Sequence, residues 1–205
     1  MTKRLGLEIF ERLKTGAEVL DADFDAIFSK KIRALSEVHF TPIKVALAAA
    51  DFLVDEPGTR VLDVGSGVGK FCMIGASCTE GHFTGVEQRE RLHQLSVRLS
   101  ERYHVANTHF ILSNMVYVDF NTFDAIYLFN PFYENILQSN PIDNSVKLDK
   151  ILYAVYSLYV RQQLDTMPVG TRVATYFSYL DEVPDSYEIQ ATDFDRKLKL
   201  WQKVK

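Results

Sequence analysis

Cysteine is scarce in this chain: Cys72 and Cys78 are the only two among 205 residues, and they form no C-x-x-C pair. They read as small buried apolar side chains in a reducing cytosol, which removes a disulfide framework from consideration. No apolar run approaches the length of a bilayer span, and the Met1 end carries no charged-then-apolar leader, so a cytoplasmic protein is expected. Positive charge is also short. Lys and Arg number 23 against 27 Asp and Glu, a net charge of −4, which lacks the electrostatic footprint of a nucleic-acid binder. The basic cluster Arg196, Lys197, Lys199, Lys203 and Lys205 is accounted for as a solvated hairpin end. Internal repeats and low-complexity segments are absent. Asp21-Ala-Asp-Phe-Asp25 has the D-x-D-x-D spacing of a calcium loop, but Ala26 and Ile32 stand where such a loop needs glycine and glutamate. Those acids read as a charged helix start, and no metal is expected.

What is present is punctuation by glycine. In Val61-Leu-Asp-Val-Gly-Ser-Gly-Val-Gly-Lys70, apolar residues around Asp63 lead into Gly65, Gly67 and Gly69. Apolar residues ahead of glycines read as a buried parallel strand entering a tight turn. Glycine there takes positive φ and lets backbone approach a ligand, and the helix from Phe71 is expected to point its first N–H groups at that ligand. The dinucleotide fingerprint G-x-G-x-x-G fails at Lys70, and the P-loop pattern fails at Val64 and Phe71. Downstream, His82-Phe-Thr-Gly-Val-Glu-Gln88 is a second strand ending in Glu87. An acid about 20 residues past such a turn can accept hydrogen bonds from both ribose hydroxyls.

The pattern D-x-G-x-G-x-G closed by Glu87 resembles motif I and the second-strand acid of class I S-adenosylmethionine (SAM) dependent methyltransferases. Phe123-Asp-Ala-Ile-Tyr-Leu-Phe-Asn-Pro-Phe-Tyr133 adds a third piece. Ala125 to Phe129 is a central strand, and Pro131 forces the chain out of the sheet. Asn130-Pro131-Phe132-Tyr133 resembles motif IV, N-P-P-[YF], of the methyltransferases that modify planar amino groups, with Phe132 in place of the second proline. The resemblance implies that Asn130 and the Pro131 carbonyl accept hydrogen bonds from the target nitrogen and that Tyr133 stacks on its plane. It implies cofactor contacts from Asp63, Gly65, Ser66, Gly67 and Gly69, from Glu87 and Gln88, and from Asn114 and Met115 at the end of the third strand, with Asn114 facing the adenine. His39-Phe-Thr-Pro42 is similar to the F-x-T-P-type motif X, which implies contacts from Phe40 and Thr41. Thr41 and Pro42 also read as an ordinary start for the helix Ile43 to Val54.

Elsewhere helices are expected near 70–78, 90–104 and 146–164, with Leu92, Leu95, Leu99 and Tyr103 on one buried stripe and Leu148, Leu152, Val155 and Tyr159 on another. Thr171–Phe177 is a fifth strand, and Tyr187–Thr192 and Leu198–Val204 form a terminal hairpin. The expected architecture is α/β: a Rossmann-like three-layer sandwich on a mostly parallel seven-stranded sheet with an antiparallel C-terminal hairpin. Residues 1–36 are expected as an N-terminal helical cap, through Leu7–Leu13 and Phe24–Leu35, over the cleft of a domain spanning 37–205. The resemblance implies SAM as cofactor and a nitrogen acceptor on a protein side chain or a small molecule. Asp-Val-Gly-Ser-Gly-Val-Gly with Gly85-Val-Glu87 is also similar to the seven-stranded histone-lysine methyltransferases, so a lysine acceptor stays open. A non-catalytic SAM-binding or partner-binding module is the alternative from another class.

Overall fold

The alternation of strand and helix signals folds as one mixed sheet. A computed structural model describes residues 3–137, 141–178 and 182–205; the Met1 end, read above for a leader, lies outside them. Strands β1 (Arg60–Val64), β2 (His82–Glu87), β3 (Thr108–Leu112), β4 (Ala125–Phe129) and β5 (Arg172–Tyr176) pair in parallel. β6 (Tyr187–Asp193) and β7 (Leu198–Lys203) form the antiparallel hairpin, with β7 against β5. The order β3-β2-β1-β4-β5-β7-β6 reverses the direction of winding between β1 and β4. A crevice opens at such a reversal, outside the carboxyl ends of the strands.

Strand alternation sorts the core into two faces. Val61, Ala125, Tyr127 and Ala174 face one layer, while Leu62, Val64, Ile126, Leu128 and Val173 face the other. The first layer is α4 (Ile43–Leu53), α5 (Lys70–Cys78) and α6 (Glu90–Tyr103); the second is α7 (Lys150–Thr166) with two short 3-10 turns, Met115–Tyr117 and Phe120–Thr122. On α6 the expected stripe is buried at Leu92, Leu99 and Tyr103. On α7 it is rotated. Tyr153, Ser157, Val160 and Leu164 are buried, whereas Val155 is 48% exposed. The apolar residues of this helix are dense enough to offer two stripes, and spacing alone does not choose between them.

The N-terminal helices are α1 (Lys3–Lys14), α2 (Asp21–Asp25) and α3 (Lys30–His39). α1 lies on the outer side of α5 and α6, with Phe10 set between Phe24 and Tyr103 at ring distances of 5.6 and 5.4 Å. The stretch 24–35 is not one helix: it breaks after α2, and Ser29 accepts the Ile32 N–H at 3.4 Å to start α3. Of these helices, only the last residues of α3 reach the cleft.

The acids of α2 have a specific partner. Lys70, the first residue of α5, is buried and donates to Asp21 at 2.7 Å and to Asp25 at 2.8 Å, while the Ser36 hydroxyl bonds the other Asp25 oxygen. Asp21 also accepts the Ile43 N–H at 3.0 Å, so the cap of α4 comes from α2. Thr41, expected as that cap, instead bonds the Tyr127 hydroxyl at 3.0 Å. In the C-terminal cluster Lys203 is not solvated: it is buried and donates to the Leu164 and Asp165 carbonyls at the end of α7, where a cation opposes the helix dipole.

Candidate functional site

The crevice holds a cavity of about 410 Å³ at the ends of β1, β2 and β4. The glycine turn forms its floor. Gly65, Gly67 and Gly69 take φ of 75°, 56° and 75°, the left-handed region that glycine enters without strain. A Cβ on Gly65 would stand 2.9 Å from Pro131 Cβ, so the turn after β1 and the turn after β4 touch at that glycine.

Four N–H groups of the turn are spent internally, and the first residues of the following helix, expected to aim their N–H groups at a ligand, do not line the cavity. Gly65 and Ser66 donate to the Val86 carbonyl at 2.9 and 3.0 Å, and Gly69 donates to Ser66 at 2.8 Å. Gly67 donates to Glu87 Oε2 at 3.1 Å. A phosphate cradle needs these donors free. The turn offers instead a wall without side chains. Lys70, where the dinucleotide fingerprint has its third glycine, is held by Asp21 and Asp25 and does not line the cavity.

Glu87 is buried at the end of β2, and its second oxygen accepts the Arg89 N–H at 2.7 Å. Burial pushes its carboxyl up, while the Arg89 N–H and charge and the Gly67 N–H pull it part of the way back. Each carboxylate oxygen keeps a lone pair beyond its backbone bond. Gln88, Asn114 and Met115 line the same end of the cavity. Asn114 Nδ2 donates to the Tyr156 hydroxyl at 2.8 Å and to Gln88 at 3.3 Å, and its Oδ1 accepts the Val116 N–H at 3.2 Å.

At the other end stand Phe40, Asn130, Pro131 and Tyr133. Asn130 has φ 34°, and its carbonyl accepts the Tyr133 N–H at 3.2 Å, closing a tight turn. Phe132, in place of a second proline, is buried with its ring 5.2 Å from Tyr156. Burial thus fixes what a proline ring would fix covalently, and it leaves Tyr133 37% exposed at the mouth.

Four of the expected contact residues do not line the cavity: Asp63, Ser66, Gly69 and Thr41. Asp63 is buried beneath the turn, where its Oδ2 accepts the Cys72 thiol at 3.4 Å. Burial first, then the charge of Glu87, pushes its carboxyl up to about 7, against the pull of the Cys72 bond. The sequence reading missed the aromatic wall Phe129, Tyr176 and Phe177 and the buried Arg89, all of which line the cavity. Phe129–Tyr176 and Tyr176–Phe177 ring distances are 5.0 and 4.7 Å. The signal for the wall was available, since these residues end or follow β4 and β5 at the ligand edge.

Residues 32–130 match the model of the protein-L-isoaspartate (D-aspartate) O-methyltransferase family. The match covers just under half of the chain, and the fold is the one shared by methyltransferases of known structure. The match ends at Asn130, before Phe132 and Tyr133 of the turn after β4. No curated protein matches the sequence. Among solved structures, TrmN from Thermus thermophilus superposes with a TM-score of 0.59 at 18% identity, over 80% of this chain and 49% of its own. A SAM-dependent methyltransferase from Aquifex aeolicus gives 0.54 at 15% identity, over 87% and 100%. An RNA methyltransferase from Salinibacter ruber, in complex with S-adenosyl-L-homocysteine, gives 0.52 at 16% identity, over 80% and 92%. The chain thus spans about half the length of the Thermus protein. Such likenesses carry the fold. Among the described residues, no helix is long and apolar enough to cross a membrane.

Proposed function

We propose that this chain is a SAM-dependent methyltransferase whose acceptor is a planar nitrogen, on a small molecule or a protein side chain. One observation carries the reading: the glycine wall and the Asn130–Tyr133 turn meet at Gly65 and Pro131 and share one cavity. Cofactor and acceptor atoms bound there lie within reach of each other, and that proximity is a large part of the catalysis this chemistry needs.

The residues fit the cofactor. Glu87 keeps lone pairs for two ribose hydroxyls, Gln88, Asn114 and Met115 bound the base end, and Gly65 and Gly67 leave room for the amino-acid portion. The internally paired turn suits a ligand without phosphates. When bound, SAM supplies an electrophilic methyl on a sulfonium. The Asn130 amide oxygen and the Pro131 carbonyl accept the N–H bonds of the acceptor and aim its lone pair, while Tyr133 covers its plane. SAM bound there would supply its methyl to that lone pair and leave as S-adenosylhomocysteine, and the acceptor's proton would pass to water. The net charge of −4 favours acceptors other than nucleic acid.

The matched family favours a second reading, methylation of a carboxyl oxygen. Tritium transfer from methyl-labelled SAM separates the two. A glutamine peptide, a set of arylamines and an isoaspartyl peptide are offered as acceptors, and products are exposed to mild base. Base-stable product supports nitrogen, whereas base-labile product supports an ester. Asn130→Ala is expected to lower transfer to a nitrogen acceptor by about 10²-fold. Unchanged turnover removes Asn130 from the mechanism.

A further inference from the structure

Among the described residues, Arg89 is the one arginine or lysine lining the cavity, and it is buried. An unpaired guanidinium in that position would be costly, and three carboxylates surround it. Its own backbone N–H bonds Glu87 at 2.7 Å. Its Nη2 lies 3.1 Å from Glu134 Oε2, and its Nε donates to Asp143 Oδ1 at 3.2 Å. The side chains of Glu134 and Asp143 are only 13% and 23% exposed, so solvent weakens these pairs far less than pairs on an open surface.

The placement of the three acids matters more than their number. Glu87 ends β2 and serves the ribose side of the cavity. Glu134 directly follows Tyr133, the last residue of the acceptor-side turn. One residue therefore touches the cofactor acid through its backbone and the acceptor turn through its side chain. Glu134 Oε1 in turn accepts the Ile142 N–H at 2.7 Å, and Ile142 lines the cavity. Asp143 Oδ1 also accepts the Ser145 N–H at 2.9 Å, which orients that carboxylate toward Arg89.

We infer that Arg89 is a positioning residue that holds the Asn130–Glu134 turn in register with Glu87, and so sets acceptor against cofactor. This rests on the methyltransferase reading for its purpose, though not for its geometry. Glu87 keeps its backbone donors when the Arg89 side chain is removed, so cofactor affinity and turn position separate.

Hydrogen exchange on the full chain tests it, with Arg89→Met, Glu134→Gln and the double variant. In Arg89→Met the Tyr133, Asn135 and Ile142 amides are expected to exchange about tenfold faster, with the β1 and β4 amides unchanged. Adding Glu134→Gln accelerates the Tyr133 and Asn135 amides no further, because the same Arg89–Glu134 contact is already lost. With an acceptor in hand, kcat falls about tenfold or more while KM for SAM stays within about twofold. Unchanged exchange at the three amides overturns the inference. So does faster exchange spread evenly over the sheet, which marks a merely structural arginine. Calorimetry with S-adenosylhomocysteine runs alongside. Failure of the unaltered chain to bind it overturns the cofactor reading, while the exchange data still judge the contact.

Discussion

Asp63 shows how the residues beneath the glycine turn set its response to pH. An unfolded aspartate titrates near about 3.9, and in the fold this carboxyl is pushed up to about 7. Between those values the native state holds a proton that the unfolded chain has lost. This group's effect on stability therefore becomes more unfavourable as pH rises through that window and is level on either side. Asp63→Asn removes the change. In urea melts, the stability difference between variant and wild type is expected to shift in the variant's favour from pH 4 to 7 and to flatten above; a constant difference contradicts the burial assigned to Asp63. Gly65 makes a second case at this scale. Alanine there meets both a left-handed backbone and Pro131 Cβ at 2.9 Å, whereas Gly170, at φ 96°, has nothing within 4 Å. Gly170→Ala should cost about 1–2 kcal/mol from backbone strain alone. Gly65→Ala should cost more by urea denaturation and also weaken S-adenosylhomocysteine binding. Equal costs would mean that the two turns do not press on each other.

Among the elements, the junction of α2, α4 and α5 is the most exacting. Lys70 is buried with both of its carboxylate partners on α2. Removing one member of such a cluster leaves an uncompensated charge, and Asp25→Asn or Lys70→Met is expected to cost about 3–5 kcal/mol. Thermal denaturation checks it, together with limited proteolysis between α2 and α3; a loss under 1 kcal/mol would say that the pair is solvated. None of this was legible in the sequence. Asp21 and Asp25 lie 49 and 45 residues from Lys70, and their spacing suggested only a charged helix start. The same holds for Arg89, whose partner Asp143 is 54 residues away. What was legible was local: the glycine turn, the acid closing β2, the proline ending β4 and the period-2 strands each state their geometry within ten residues. α7 lies between these cases. Its helical period was plain, but its buried face is chosen by Leu62, Val64, Ile126 and Val173 across the interface, which no window on the helix contains.

For the whole molecule, the winding reversal between β1 and β4 brings these local devices to one cavity. β1 delivers the wall, β2 the acid, and β4 the Asn130–Tyr133 turn, each at its carboxyl end. The internal pairing of four N–H groups of the glycine turn weighs against a phosphate cradle there. Calorimetric titration of the full chain with SAM, S-adenosylhomocysteine and NAD, repeated on Glu87→Ala, tests this most directly. The account predicts binding of SAM and of its demethylated product, loss of both in the variant, and no heat with NAD. Binding of NAD, or SAM binding indifferent to Glu87, would contradict it.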